Sequence, residues 1–443
     1  MSTSLQYGTG HGFGGGRRLM VAPLLPAGSG TKGGDPHRLA LVLVGLGICL
    51  LPVLRPSAAG NLTPADCAIG LAILGVLLWA GTTRQRLALP YGLGVGLIAI
   101  AGLVSSLAGD YPVLGLLSVV QDLYLLVWCA AFANVARRPG AFDVLARTWV
   151  VSSLLWAAAF IVATTGSAVS AGQNAVRADF VFGEQNAAGL YFVLSVFVLL
   201  ATRRPRRGWL RAFAVLLLLV ATLYSGSLGA LSGLLLGLAL AIVLTVRSQR
   251  GPVPAVAVTI VVLLAAGSLT LLAERDNVVA AASASSNALV RNSLGRGDQS
   301  SSQRQTLSAE TLHLWQNSDL LGLGPTATKS VLQAEQASYP NEAHDDWVAA
   351  LIERGLLGVL GLLLLVAELV TRASRSWDPA RLLVGLRVAL PSSAYLVGGL
   401  GCVLVFSTTH EVLHDRTAWT LFALVAAVSL WGRPQQLPQG GST

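Results

Sequence analysis

The stretch Asn341-Glu342-Ala343-His344-Asp345-Asp346-Trp347 runs directly into an apolar segment that carries Glu353, Arg354, Gly355 and Gly358. His344 brings an imidazole able to accept or donate a proton near neutral pH. Asp345 and Asp346 are placed to cap the helix that the apolar run predicts and to meet its positive end. Trp347 suits a water–hydrocarbon interface. Glu353 and Arg354 fall two turns further on, about 10–12 Å below the helix start. With Asp122 they are ions inside apolar segments, costly unless paired or facing water. Arg177, Arg304 and Arg416 offer planar, multidentate contacts to phosphate oxygens. The set suits a phosphorylated, polar substrate. A second cluster reads His410-Glu411-Val412-Leu413-His414 and is followed by Asp415 and Arg416. Its two His have the i,i+4 spacing of zinc ligands on a protease helix, but spacing supplies no third ligand.

The elements that must position these groups follow from composition. Of 443 residues, 53% are hydrophobic and 12% charged, about half the charge that clothes a soluble domain. The chain is therefore an all-α polytopic membrane protein, and a soluble multi-domain protein is excluded. A net charge of +9 arises from 28 Arg and 2 Lys, set mostly in small clusters between apolar runs. That distribution orients a membrane protein and argues for no nucleic-acid partner. Cys49, Cys67, Cys129 and Cys402 form no CxxC pair and read as small buried hydrophobes. Residues 1–38 are Gly-rich and polar without the features of a secretory signal, and are expected to be a disordered cytoplasmic tail.

Twelve apolar segments follow, at about 39–54, 66–82, 88–108, 113–134, 142–165, 187–202, 208–225, 227–246, 253–273, 346–371, 383–406 and 417–432. If the N-terminus is inside, alternate loops carry Arg84 and Arg86, Arg137 and Arg138, Arg203 to Arg207, Arg247 and Arg250, Arg372 to Arg381, and Arg433. The other loops hold Asp110, Asp179 and Glu184 around Arg177, and Glu411 with Asp415. Every loop obeys the positive-inside rule. The expectation is about twelve transmembrane helices in a domain spanning 39–433, with both termini, including residues 434–443, in the cytoplasm. The exception to short loops is 274–345, expected outside between the ninth and tenth helices. Within it a helix is predicted over Gln303 to Gln316, with Arg304, Ser308, Thr311 and Trp315 on one face. Leu321-Gly322-Leu323-Gly324-Pro325 ends it. The same topology puts Asn186, Ser225 and Ser227 on the outer side with the candidates above.

In this order, the motifs resemble those of the O-antigen ligase and polysaccharide polymerase superfamily. The loop-to-helix signature matches His344, Asp345, Trp347, Glu353, Gly355 and Gly358. The outer loop's Arg, helix and closing Gly-x-Gly match Arg304, the stretch to Trp315, and Gly322 with Gly324. Gly183-Glu184-Gln185-Asn186 and the Ser-rich junction around Ser225-Gly226-Ser227 are similar to further family features. The likeness covers about residues 170 to 372. It implies a C-type glycosyltransferase-like fold of the cytoplasmic membrane, working without cofactor or metal. The implied partners are a polyprenyl-diphosphate-linked glycan donor, a glycan or lipid acceptor, and the bilayer. Carried over by position, Arg304 would bind the donor diphosphate and His344 would sit at the reacting centre. Arg177 is a candidate second diphosphate contact, and Asn186, Ser225, Ser227, Asp345, Trp347 and Arg416 are candidate substrate contacts. Two departures stand out: Ser225, Gly226 and Ser227 occupy a junction where many ligases carry an Arg, and Asp345 stands where Asn is common. The alternatives are a transporter or flippase for a lipid-linked glycan and a membrane zinc protease using His410, Glu411 and His414; an acceptor-binding role for that loop is preferred.

Overall fold

The computed structural model describes residues 36–55, 62–170, 181–273, 281, 284–285, 297–316, 320–337, 340–343, 345–378, 382 and 384–431. Among them the longer elements are α1 (Pro36–Leu50), α2 (Pro64–Thr83), α3 (Gly92–Ala108), α4 (Pro112–Ala136), α5 (Pro139–Ser170), α6 (Gln185–Thr202), α7 (Gly208–Ser225) and α8 (Leu228–Arg250). Then come α9 (Pro252–Ala273), α10 (Gly297–Gln316), α11 (Thr328–Ala334), α12 (Asp346–Ser376), α13 (Val384–Ala389), α14 (Ala394–Phe406) and α15 (Arg416–Leu430). No strand occurs among the described residues. These helices belong to one unit, Pro36–Thr443.

Local chemistry sets many helix starts. Thr63 closes a capping box with Asp66 ahead of Pro64, where a proline's missing N–H costs nothing. Ser227, Asp345 and Asp415 cap α8, α12 and α15 by accepting from backbone N–H groups. Seven helices are long and apolar enough to cross a membrane: α2, α4, α5 over Gly140–Thr165, α6, α7, α8 and α12. Five more apolar helices run 10–17 residues, namely His37–Leu50, Gly92–Ala108, Pro252–Leu264, Ala394–Phe406 and Arg416–Leu430. Large side chains such as Leu78, Leu107 and Leu155 are about two-thirds exposed. Such a surface is unfavourable in water and natural against lipid tails. The chain is a polytopic helical membrane protein.

Two expected segments differ in detail. The first begins at Pro36, inside the stretch assigned to the tail. The eleventh, 383–406, is split into α13 and α14 by Leu390-Pro391-Ser392-Ser393. Pro391 has no N–H for a continuing helix, and Ser392 N–H donates to the Ala201 carbonyl instead. Of the cysteines, Cys129 and Cys402 are buried, whereas Cys67 is exposed on α2.

Small residues let the interior helices meet. A Cβ at Gly398 would lie 2.5 Å from the Gly237 carbonyl oxygen, so α8 and α14 touch backbone to backbone. Arginines gather where α6, α8 and α12 end: Arg203 bonds Ser392 at 2.8 Å, Arg247 lies over Trp377, and Arg372 reaches Ser429 at 2.9 Å near the C-terminal end of α15.

Candidate functional site

The site starts from a broken helix. About a third of the way along α12, Gly355 has φ +64° and ψ −164°, which only glycine adopts readily. The break frees backbone groups, and the loop after α10 binds them. Leu323 N–H donates to Ile352 O at 2.8 Å, Gly324 N–H to Glu353 O at 3.0 Å, and Leu356 N–H to Leu320 O at 3.2 Å. The approach leaves no room for side chains. A Cβ on Gly322 would sit 2.6 Å from Gly355 N, and one on Gly355 would collide with the Leu320 carbonyl oxygen. Irregular backbone at membrane depth is tolerated where protein satisfies it in this way. The expected Gly-x-Gly thus docks the loop onto the span, beyond ending the preceding helix.

Beside the break lie the ions. Glu353 accepts from Thr326 N–H at 2.8 Å and from the Thr328 hydroxyl at 2.7 Å. Arg354, 2% exposed, donates to Asp122 on α4 at 2.8 Å and to Ser118 at 3.3 Å. The other Asp122 oxygen meets His414 Nε2 at 3.1 Å, and His414 Nδ1 lies 3.8 Å from Glu411. Asp346 accepts from Val412 N–H at 2.9 Å and from Leu413 N–H at 3.2 Å, tying the start of α12 to the loop between α14 and α15. Arg416 holds both Asp66 oxygens at 2.7 Å and joins α15 to α2. Burial pulls the His414 imidazole down, but its hydrogen bonds to Asp122 and Glu411 outweigh that and push it up to about 10. Burial raises Asp345 against the hydrogen bonds it accepts from Val348 and Trp347 N–H, and raises Asp415 in the same way.

Of these groups, Thr326, Glu411, His414, Asp415 and Arg416 line a cavity of about 460 Å³. Its wall takes in Leu51 after α1, Thr63 before α2, Glu184 before α6, Glu342 before α12, Phe406 at the end of α14 and Arg416 at the start of α15. Six helix ends therefore meet at one polar chamber. The described arginine contacts at the far ends of α6, α12 and α15 lie away from it.

The expected residues fall into three groups. Asn186 lines the cavity and donates to Glu184 at 3.2 Å. Arg416 also lines it, with its charge already given to Asp66. Ser225, Ser227, Asp345 and Trp347 do not line it: Ser227 caps α8, Ser225 Oγ accepts from Ser227 N–H, Asp345 caps α12, and Trp347 packs on the core. Arg177 and His344 lie outside the described residues. Arg304 falls in α10, but its side chain is not among those described. That helix begins at Gly297, and its buried residues among those described are Leu307, Thr311 and Leu314. Leu332 of α11 completes this small cluster.

The zinc-protease pattern lacks its helix. α14 ends at Phe406, and residues 407–415 run as turns and irregular chain. His414 Nε2 faces Asp122, and His410 stacks on Phe406 with ring centroids 4.4 Å apart. Among the described residues no group of three or more His, Cys, Asp or Glu is arranged to hold a metal ion. Sequence reasoning missed Asp66, Gln121, Ser118 and Tyr191. Thr63-Pro64-Ala65-Asp66 carried a legible capping-box signal, and Ser118 with Asp122 the i,i+4 spacing of one helix face.

Comparison with known proteins adds the family. No curated protein matches the chain. The O-antigen ligase family model matches residues 213–363, from α7 through the broken half of α12, roughly a third of the chain. In an all-helical membrane protein this match supports a membrane glycan-processing enzyme and an assignment to the O-antigen ligase superfamily.

Proposed function

We propose that the protein is a glycosyltransferase that moves or polymerises a saccharide from a polyprenyl-diphosphate donor onto a hydroxyl of a glycan or lipid acceptor. It works at the outer face of the cytoplasmic membrane without a metal ion. The observation that carries the reading is the polar cavity, where the family-matched segment contributes Thr326 and Glu342 beside Arg55, Glu184 and the charged groups of the last interhelical loop. Orientation has its own support. Charge alternation puts outside the ends of α1 and α14 and the starts of α2, α6, α12 and α15, and these are the ends that border the cavity. Counting the five shorter apolar helices as spans gives twelve, with both termini in the cytoplasm and the 274–345 loop outside.

In the proposed reaction the acceptor oxygen attacks the anomeric carbon. The carbon–oxygen bond to phosphate breaks, and its electron pair leaves with the diphosphate. Arg304, with Arg177 as a second contact, neutralises the departing charge as preorganised cations do. His344 takes the hydroxyl proton or hydrogen-bonds the hydroxyl; Glu342, two residues before it in the chain, lines the cavity. The test is conversion of a purified lipid-linked donor by wild type, Arg304→Ala and His344→Ala protein in the presence of a chelator. Wild-type turnover should persist, and each variant should lose about a hundredfold or more. Robust turnover by both variants would remove these site assignments, and loss of wild-type turnover in chelator would remove metal independence.

A further inference from the structure

We propose that the cavity is the acceptor-glycan site and that Glu411 is the carboxylate that accepts a hydrogen bond from an acceptor-sugar hydroxyl other than the reacting one, an inference that rests on the glycosyl-transfer reading above. The wall has the chemistry of saccharide recognition. Glu184, Glu411 and Asn186 offer hydroxyl acceptors, while the rings of Phe182, Tyr191 and Phe406 offer apolar faces for sugar C–H groups. The volume of about 460 Å³ is that of a small-molecule site.

The cations of the wall are already engaged. Arg416 is bound bidentately by Asp66, His414 faces Asp122, and Arg55 has a partner as well. This wall is therefore poorly suited to a diphosphate and well suited to a neutral or amino sugar. Its carboxylates differ in occupation. Asp415 accepts from Ala418 N–H to cap α15, Glu184 accepts from Asn186, and Glu342 is an exposed side chain that no neighbour among the described residues orients by a hydrogen bond or ion pair. Beyond His414, Glu411 has no hydrogen-bond or ion-pair partner among the described residues, and 22% of its side chain is accessible.

What orients Glu411 is a chain of charge. Arg354 holds Asp122, Asp122 with Ser118 holds His414 Nε2, and the far side of the same ring faces Glu411. Asp346 fixes the backbone on either side of Val412 by accepting from Val412 and Leu413 N–H. Arg354, Asp122 and His414 are thus positioning residues, and Glu411 is the group that meets the acceptor. No bond to Glu411 forms or breaks in this role.

The test is direct binding, independent of turnover. Full-length protein in lipid nanodiscs is applied to an array of neutral, amino-sugar and uronic-acid oligosaccharides, as wild type, Glu411→Gln and Glu411→Ala. Thermal unfolding confirms that each variant is folded. Wild type should retain neutral or amino-sugar glycans over uronic-acid ones. Both variants should weaken that binding about tenfold, as for loss of a hydrogen bond to a charged group, while uronic-acid glycans bind no more weakly than before. Unchanged binding by folded Glu411→Gln, preference of wild type for acidic glycans, or no glycan retained by wild type would each overturn the inference. Binding that follows the expected pattern without donor turnover would leave this site standing and sink the transferase reading. Turnover with binding indifferent to Glu411 would do the reverse.

Discussion

Asp122 holds two buried or half-buried cations at once, Arg354 at 2.8 Å and His414 at 3.1 Å. Removing one member of a buried ion pair leaves the other charge uncompensated, which costs about 3–5 kcal/mol. Asp122→Asn should therefore destabilise the protein by about that amount in detergent unfolding. The double variant Asp122→Asn/Arg354→Met should recover part of the loss, and additive losses would show that the pair is not coupled. The imidazole gives a pH signature. His414 is raised to about 10 from an ordinary value near 6.5, so its protonated form is favoured by folding. The stabilisation is fully present below about pH 6.5 and is lost as pH rises through about 10. The gap in unfolding temperature between wild type and His414→Gln should be widest at pH 6 and close toward pH 10.5. A gap that widens with pH would contradict the assigned pairing. Asp345 and Asp415, whose shifts do not come from His414, are common to both proteins and cancel.

At the scale of elements, the decisive feature is the docking of Leu320–Gly324 onto the break in α12. Gly355→Ala adds a Cβ against the Leu320 carbonyl oxygen and forces a residue other than glycine to φ +64°. The three backbone bonds across the break should be lost, exposing the 320–327 segment to protease and lowering glycan transfer at least about tenfold. Gly96→Ala on α3 is the control, because a Cβ there meets nothing within 4 Å. It should change stability by no more than about 0.5 kcal/mol. If Gly355→Ala behaves like Gly96→Ala in protection and transfer, the docked loop has no bearing on activity. The sequence alone announced this region only in part. Gly322 and Gly324 were legible as a helix stop because turns favour glycine. The break itself was hidden, since Gly355 sits in an apolar run where a single glycine is ordinarily carried inside a helix. The split of α13 from α14 was signalled by Pro391. Which residues of α10 are buried was not legible, because Leu307 and Leu314 find Leu332 across a loop that periodicity cannot see.

For the whole molecule, apolar runs and basic clusters made the membrane class legible, because hydrocarbon length and positive charge act on local sequence. The pairings that build the site were not, since Asp122 meets His414 from 292 positions away and Asp66 meets Arg416 from 350. Only packing brings such groups together. The convergence of six helix ends on the cavity constrains topology more tightly than charge does, because every one of those ends must share a side of the membrane. Placing the cavity outside then requires inward ends at Arg84, Arg137, Arg206, Gln249 and Ser376. Fusing a reporter that fluoresces only in the cytoplasm after each of these positions should give signal, and fusing a phosphatase active only outside after Asp110 or Ser285 should give activity. A single helix too short to cross would invert every later reporter relative to the earlier ones, so the pattern tests the five 10–17-residue helices one by one. An inversion after α3 or α9 would remove that helix from the membrane. It would also separate ends that Asp66, Arg416 and Asp346 hold together, so a consistent alternation through all the fusions is the expected result.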